Sequence, residues 1–158
     1  MACYQRILVA IDGSPDAAAA LEHAVGLARD QNAVLTLLTV APPPSTPVGA
    51  GASAPPDLLE ANSKVLREAT ASLPMDVGVT TRLERGQPAE TILRVASGDR
   101  HDLIVMGSHG HSRVHRALLG SVSERVLAAS PLPVLLVRAG SGVERYSPPS
   151  RKASSSAV

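Results

Sequence analysis

Apolar residues in this chain gather in short continuous runs, separated by longer stretches in which they recur at helical spacing. Ile7-Leu8-Val9-Ala10-Ile11 is the first run and ends at Asp12-Gly13. Its length and β-branched content predict a strand buried on both faces. Ser14-Pro15-Asp16 follows as a helix start: Ser14 can cap, Pro15 suits the first helical position, and Asp16 complements the helix dipole. Leu21, Ala24, Val25 and Ala28 then repeat at helical spacing. Residues 33–40 (AVLTLLTV) form a second buried strand. Residues 42–56 are rich in Pro, Ala, Gly and Ser and read as a loop with little to bury.

Asp57 and Glu60 have the spacing of a capping box, which predicts a second helix to about Leu73 with Leu58, Leu59, Val65, Leu66 and Ala69 on its apolar face. In residues 77–83, Val77, Val79, Thr81 and Leu83 alternate with Gly78, Thr80 and Arg82, as in a half-exposed strand near a sheet edge. Gly86-Gln87-Pro88 breaks the chain before a third helix through Ile92, Leu93, Val95 and Ala96. Residues 102–106 (DLIVM) read as a fourth strand, residues 107–120 as a polar loop, Ser121 to about Ala129 as a fourth helix, and Val134 to Val137 as a fifth strand. Strict alternation of this kind predicts an α/β fold: a five-stranded parallel sheet with helices on both faces, Rossmann-like. Ligands bind such sheets beyond the carboxyl ends of the strands, where the strand order reverses. Residues 1–140 are read as one domain and residues 141–158, dominated by Ser, Pro and charge, as a disordered tail.

Composition narrows the function without choosing it. The chain has 158 residues and a formal net charge of +1. There is no dense Lys/Arg block, and the only aromatic residues are Tyr4 and Tyr146, so nucleic acid is not an expected partner. Cys3 is the single cysteine, which excludes an intrachain disulfide. No apolar stretch is long enough to cross a bilayer, and no basic segment with a long apolar run opens the chain. The expectation is a cytoplasmic protein without a membrane partner.

Chemistry concentrates after the fourth strand. Gly107-Ser108-His109-Gly110, nine further residues, and Gly120-Ser121 make a Gly-x2-Gly-x9-Gly-Ser pattern between a strand and a helix. Glycines let backbone approach a ligand closely, and successive N–H groups form an anion-binding concavity. The following helix start, at Gly120, Ser121, Val122 and Ser123, adds N–H donors and a positive dipole end. This arrangement suits a polyphosphate.

With Ile-Leu-Val-Ala-Ile-Asp-Gly-Ser at its start, Gly86-x-Pro88-Ala before the third helix and Pro133-Val-Leu-Leu-Val at its end, the chain resembles the universal stress protein family over about residues 4–138. The glycine pattern is that of the family's ATP-binding members. The resemblance implies an adenine nucleotide alpha hydrolase-like fold and ATP as ligand, with Mg2+ on the phosphates. It implies that Ala10, Ile11 and Asp12 line the adenosine end, with Asp12 reaching adenine or ribose. Val40 would pack on the adenine, and Met106 and Gly107 would lie beside the nucleoside. Gly110, Gly120, Ser121, Val122 and Ser123 would hold the phosphates. It also implies a homodimer through the fifth strand, and stress or dormancy regulation as output.

Plainer readings stand beside these. Ser121 and Glu124 have capping-box spacing, Asp12 can cap the turn into the first helix, and Val40 and Met106 suit ordinary core. His109, His111 and His115 lack the paired spacing and the supporting Cys or carboxylate of a zinc site, so no metal is assigned to protein ligands. Their expected place is solvent, with phosphate contact open to His109, Ser112 and Arg113. No P-loop is present: the only lysines are Lys64 and Lys152. Ser108 is not in a Gly-x-Ser-x-Gly elbow, and no carboxylate stands between Gly107 and Gly120. The reading is a binding module with at most slow ATP hydrolysis. The alternatives are a nucleotide hydrolase using the same cleft, or a stress protein that binds no nucleotide and acts through protein contacts. The apolar last strand, placed at a sheet edge, favours pairing with a second copy.

Overall fold

The computed structural model describes residues 3–43, 56–110 and 119–140. Five strands, β1 (Arg6–Ala10), β2 (Val34–Ala41), β3 (Val79–Arg85), β4 (Leu103–Gly107) and β5 (Val134–Val137), alternate with four helices. The helices are α1 (Pro15–Gln31), α2 (Pro56–Ala71), α3 (Pro88–Gly98) and α4 (Ser121–Ala129). All strand pairs are parallel, in the order β3-β2-β1-β4-β5. The chain first builds outward from β1 through β2 to β3, then restarts on the other side with β4 and β5. The order therefore reverses between β1 and β4, and a crevice opens beyond their carboxyl ends.

The continuous apolar runs are explained by helices on both faces. Ile7, Val9, Leu35, Leu37, Leu103 and Val105 point to one side, where Ala20, Leu21, Ala24 and Ala28 of α1 and Leu66 of α2 cover them. Leu8, Leu38, Ile104 and Met106 point to the other, against Ala89, Ile92, Val95 and Ala96 of α3 and Val126 of α4. Small alanines on α1 let that helix lie close to the sheet. At its start Ser14 caps as expected, its Oγ accepting the Ala17 N–H at 3.2 Å, with Pro15 in the first turn.

Several boundaries differ from the expectation, each for a physical reason. Ile11 lies just past β1, although its N–H still donates to the Leu38 carbonyl at 2.9 Å. β3 starts later and runs on through Glu84 and Arg85, because an edge strand carries charge on its solvent side without penalty. Arg82 bonds Glu84 at 2.6 Å, and also Asp99. Val77 is buried in the turn before β3. α2 begins at Pro56, which puts Asp57 in the first turn and out of register for the capping box with Glu60. Of the polar loop, only its two ends lie within the described residues. The 42–56 segment is mostly outside them, and residues 141–158 entirely so.

Candidate functional site

Beyond the ends of β1 and β4 lies a cavity of about 340 Å³. Its floor is made by strand ends: Ala10 and Ile11 after β1, and Met106 and Gly107 closing β4. Val40, near the end of β2, forms part of the apolar side. Asp12, His109 and Gly110 border it from the loops, and Gly120, Ser121, Val122 and Ser123 from the start of α4. Twelve of the thirteen residues singled out from the sequence thus line one cavity. The thirteenth, Arg113, lies outside the described residues, as do Ser112, His111 and His115. The pattern reading passed over Leu38, Pro88 and Ile92, which complete the apolar wall, and Ser14 and Ala17 of α1. Helical spacing marked Ile92 as core; nothing in that spacing says that its helix also faces a cavity.

The glycines are needed for close approach. A Cβ on Gly107 would sit 2.7 Å from the Asp16 Cβ and 2.8 Å from the Ala17 nitrogen, so the exit of β4 runs directly against the first turn of α1. A Cβ on Gly110 would come 2.9 Å from Asp12 Oδ2, and one on Gly120 would come 3.2 Å from the Ser108 carbonyl oxygen. The Gly120 N–H donates to that same carbonyl at 2.8 Å, which ties the two ends of the glycine loop together.

Gly120, not Ser121, is the N-cap of α4, and no side chain caps the helix. The Ser121–Glu124 capping box does not form, because extended backbone at Gly120 moves Ser121 into the first turn. The first intrahelical bond is Glu124 N–H to the Gly120 carbonyl, at 2.9 Å. The N–H groups of Ser121, Val122 and Ser123 therefore precede the helical ladder, beside the cavity and at the positive end of the dipole. The Ser123 hydroxyl is already engaged: it donates to the Gly107 carbonyl at 2.9 Å and is buried. It fixes α4 to β4, which leaves Ser121 as the better hydroxyl for a ligand. Asp12 Oδ1 accepts the Ser14 N–H at 2.9 Å, so its turn-capping role is present together with its place at the cavity.

Asp16 stands behind the glycine loop. It is 8% exposed, and its carboxylate accepts the Ser108 hydroxyl at 3.0 Å, the His109 N–H at 3.1 Å and the Ala139 N–H at 2.8 Å. From the sequence alone, Asp16 has only a role toward the helix dipole. Burial alone would raise its pKa, but the Ala139, Ser108 and His109 hydrogen bonds outweigh burial and hold it below the ordinary value. Among the described residues, no three His, Cys, Asp or Glu side chains gather into a metal site. Asp12 is the one carboxylate on the cavity lining among the described residues. A Mg2+ ion commonly takes one or two carboxylates together with substrate phosphates, so this donor set fits an ion carried mainly by the phosphates.

Known proteins share the sequence pattern and the fold of this chain. The universal stress protein family model matches residues 3–138. A universal stress protein of Thermus aquaticus is 38% identical over 139 residues, covering 85% of this chain and 99% of its own. One from Methanocaldococcus jannaschii is 31% identical, covering 85% and 82%. Universal stress protein UspA from Lactobacillus plantarum superposes with a TM-score of 0.70 at 29% identity, over 87% of this chain and all of that one. A universal stress protein solved in complex with cAMP superposes at 0.65 with 28% identity, over 86% and 98%. With a family match over nearly all the described residues and the same fold in those structures, the chain belongs to the universal stress protein family.

Proposed function

We propose that this chain is an adenine-nucleotide-binding regulator of the ATP-binding kind, acting in the cytoplasm. The observation that carries the reading is the pairing, in one cavity, of an apolar end with an anion-ready end. Val40, Leu38, Ile92 and Met106 offer an apolar surface of the kind a base occupies. The N–H groups opening α4 and the glycine-framed loop suit phosphate. Asp12, on the same lining and beside Gly110, is the acceptor for ribose hydroxyls in this reading. The relative solved with cAMP supports the choice of an adenine nucleotide. ATP is preferred because the loop between Gly110 and Gly120 matches the spacing of the family's ATP-binding members. Mg2+ would accompany the phosphates, Asp12 being the carboxylate within the cavity.

The reading is of a binder rather than a metabolic enzyme. The one carboxylate on the lining among the described residues, Asp12, accepts the Ser14 N–H and is assigned here to the ribose and Mg2+ rather than to activating a water. The test is mass spectrometry of small molecules released on denaturing the purified full chain, with ATP titration of wild type and Gly120→Val. Co-purified ATP is the expected result, with binding weakened about tenfold or more, or 1.4 kcal/mol, in the variant. Circular dichroism melting checks that the variant still folds. Absence of both bound nucleotide and titration signal would overturn the reading in favour of action through protein contacts alone. Turnover at an ordinary metabolic rate with Mg2+ would favour a hydrolase.

A further inference from the structure

Three separate pieces of backbone meet at one buried carboxylate. Asp16 belongs to the first turn of α1, Ser108 and His109 to the loop leaving β4, and Ala139 to the segment leaving β5. Oδ2 takes both loop donors, and Oδ1 takes the Ala139 N–H. The same loop is fixed through its backbone: Ser108 N–H donates to the Val137 carbonyl at 2.8 Å, and its carbonyl accepts the Gly120 N–H. The carboxylate therefore holds the loop from behind while Gly120 and α4 hold it from in front.

This geometry has consequences for the cavity. The His109 N–H points at Asp16, so it is not among the donors a phosphate can use. His109 Nδ1 lies 3.0 Å from Ser108 Oγ and 3.4 Å from Asp16 Oδ2, which turns that edge of the ring away from the cavity the ring lines. Gly107 has no room for a side chain because the Asp16 backbone is packed against it. Hydrogen bonds to a charged acceptor are among the stronger ones in proteins, and a buried donor that loses one is left unsatisfied.

We infer that Asp16 is the positioning residue of the nucleotide site and that it couples the state of the glycine loop to the chain leaving β5. This rests on the binding reading above. A ligand that draws on the loop or on the start of α4 shifts the donors on Oδ2. The shared carboxylate passes that shift to Ala139, on the side of the sheet where β5 forms the edge. Asp16 itself need not touch the ligand.

The test uses the full chain, 15N-labelled, titrated with ATP and separately with cAMP, in wild type, Asp16→Asn and Thr36→Val. Thr36 is a buried polar residue far from the cavity; its Oγ1 pairs with His101 Nε2 at 2.9 Å near the other end of the strands. Thr36→Val therefore controls for lost stability alone. In wild type, the Ala139 amide should shift with the same midpoint as Ser121 and Val122. Asp16→Asn should weaken binding by about tenfold, corresponding to the loss of one charge-assisted hydrogen bond, and remove the Ala139 response. Thr36→Val should lower the melting temperature and leave the binding midpoint in place. Binding in Asp16→Asn equal to wild type, or an Ala139 amide silent while the α4 amides respond, overturns the inference. If neither nucleotide shifts any amide, the binding reading falls, and the positioning role with it. Amide exchange without nucleotide still reads the bridge: His109 and Ala139 should lose protection together in Asp16→Asn, and protection lost at only one overturns it.

Discussion

At Asp16, burial and hydrogen bonding pull the carboxyl in opposite directions, and hydrogen bonding wins. Its pKa lies below the ordinary 3.8 that it regains on unfolding. The unfolded chain therefore takes up this proton first as the solution is acidified. The stabilising contribution is whole at neutral pH, starts to fall near 3.8, and is gone once the pH has passed below the folded value. Urea unfolding of wild type and Asp16→Asn, from about pH 6 to about pH 3, should show a stability difference that shrinks on acidification. A difference independent of pH would mean that the carboxylate is not the group being lost. The residue scale also shows what the sequence could and could not reveal. Gly107, Gly110 and Gly120 stood out because their spacing between a strand and a helix has few other uses. Asp16 did not, because acids are ordinary in first helical turns and its partners are over ninety residues away. The resemblance puts Ser123 at the phosphates, and only the contact with the Gly107 carbonyl shows where its hydroxyl proton goes.

Among the elements, the apolar runs are the most readable, since a strand covered on both faces carries few polar positions, and the two in β2, Thr36 and Thr39, are small and buried. Helix starts are less so. Both misplaced capping boxes have the right residue types at the right spacing, and both yield to a neighbour that takes the turn first: Pro56 in α2 and Gly120 in α4. α1 shows the reverse case, a helix carrying a residue that its cap and core do not need. Gly26 is exposed, has no atom within 4 Å of an added Cβ, and lies well inside the helix. Gly26→Ala should stabilise the protein by roughly 0.5–1 kcal/mol, because alanine loses less backbone freedom in a helix. Thermal or urea unfolding checks this. A destabilised variant would show that the shallow groove between α1 and α2, which Gly26 borders, is filled in solution.

For the whole molecule, the two edges of the sheet are unlike. β3 presents Arg82, Glu84 and Arg85, charges that discourage another strand from pairing there. β5 presents Leu135, 37% exposed, on the α1 side of the sheet, and Leu127 of α4, on the other side, is 49% exposed. Two-fold symmetry would set β5 antiparallel to its copy and bury these leucines against their equivalents. The proposal is therefore a homodimer through β5 (Val134–Val137), with β3 left to solvent. Light scattering at micromolar concentration should give twice the mass of the chain, and Leu135→Lys should halve it by placing two like charges across the new ladder. The lysine should leave the monomer's fold intact, because the Leu135 side chain stands partly in solvent and not in either core cluster. A wild-type monomer would mean that four residues of edge are too short to hold two copies. The Asp16–Ala139 bridge would then carry its signal to the C-terminal segment of a single chain. A dimer unchanged by Leu135→Lys would move the interface to another surface and leave the coupling through Ala139 intact.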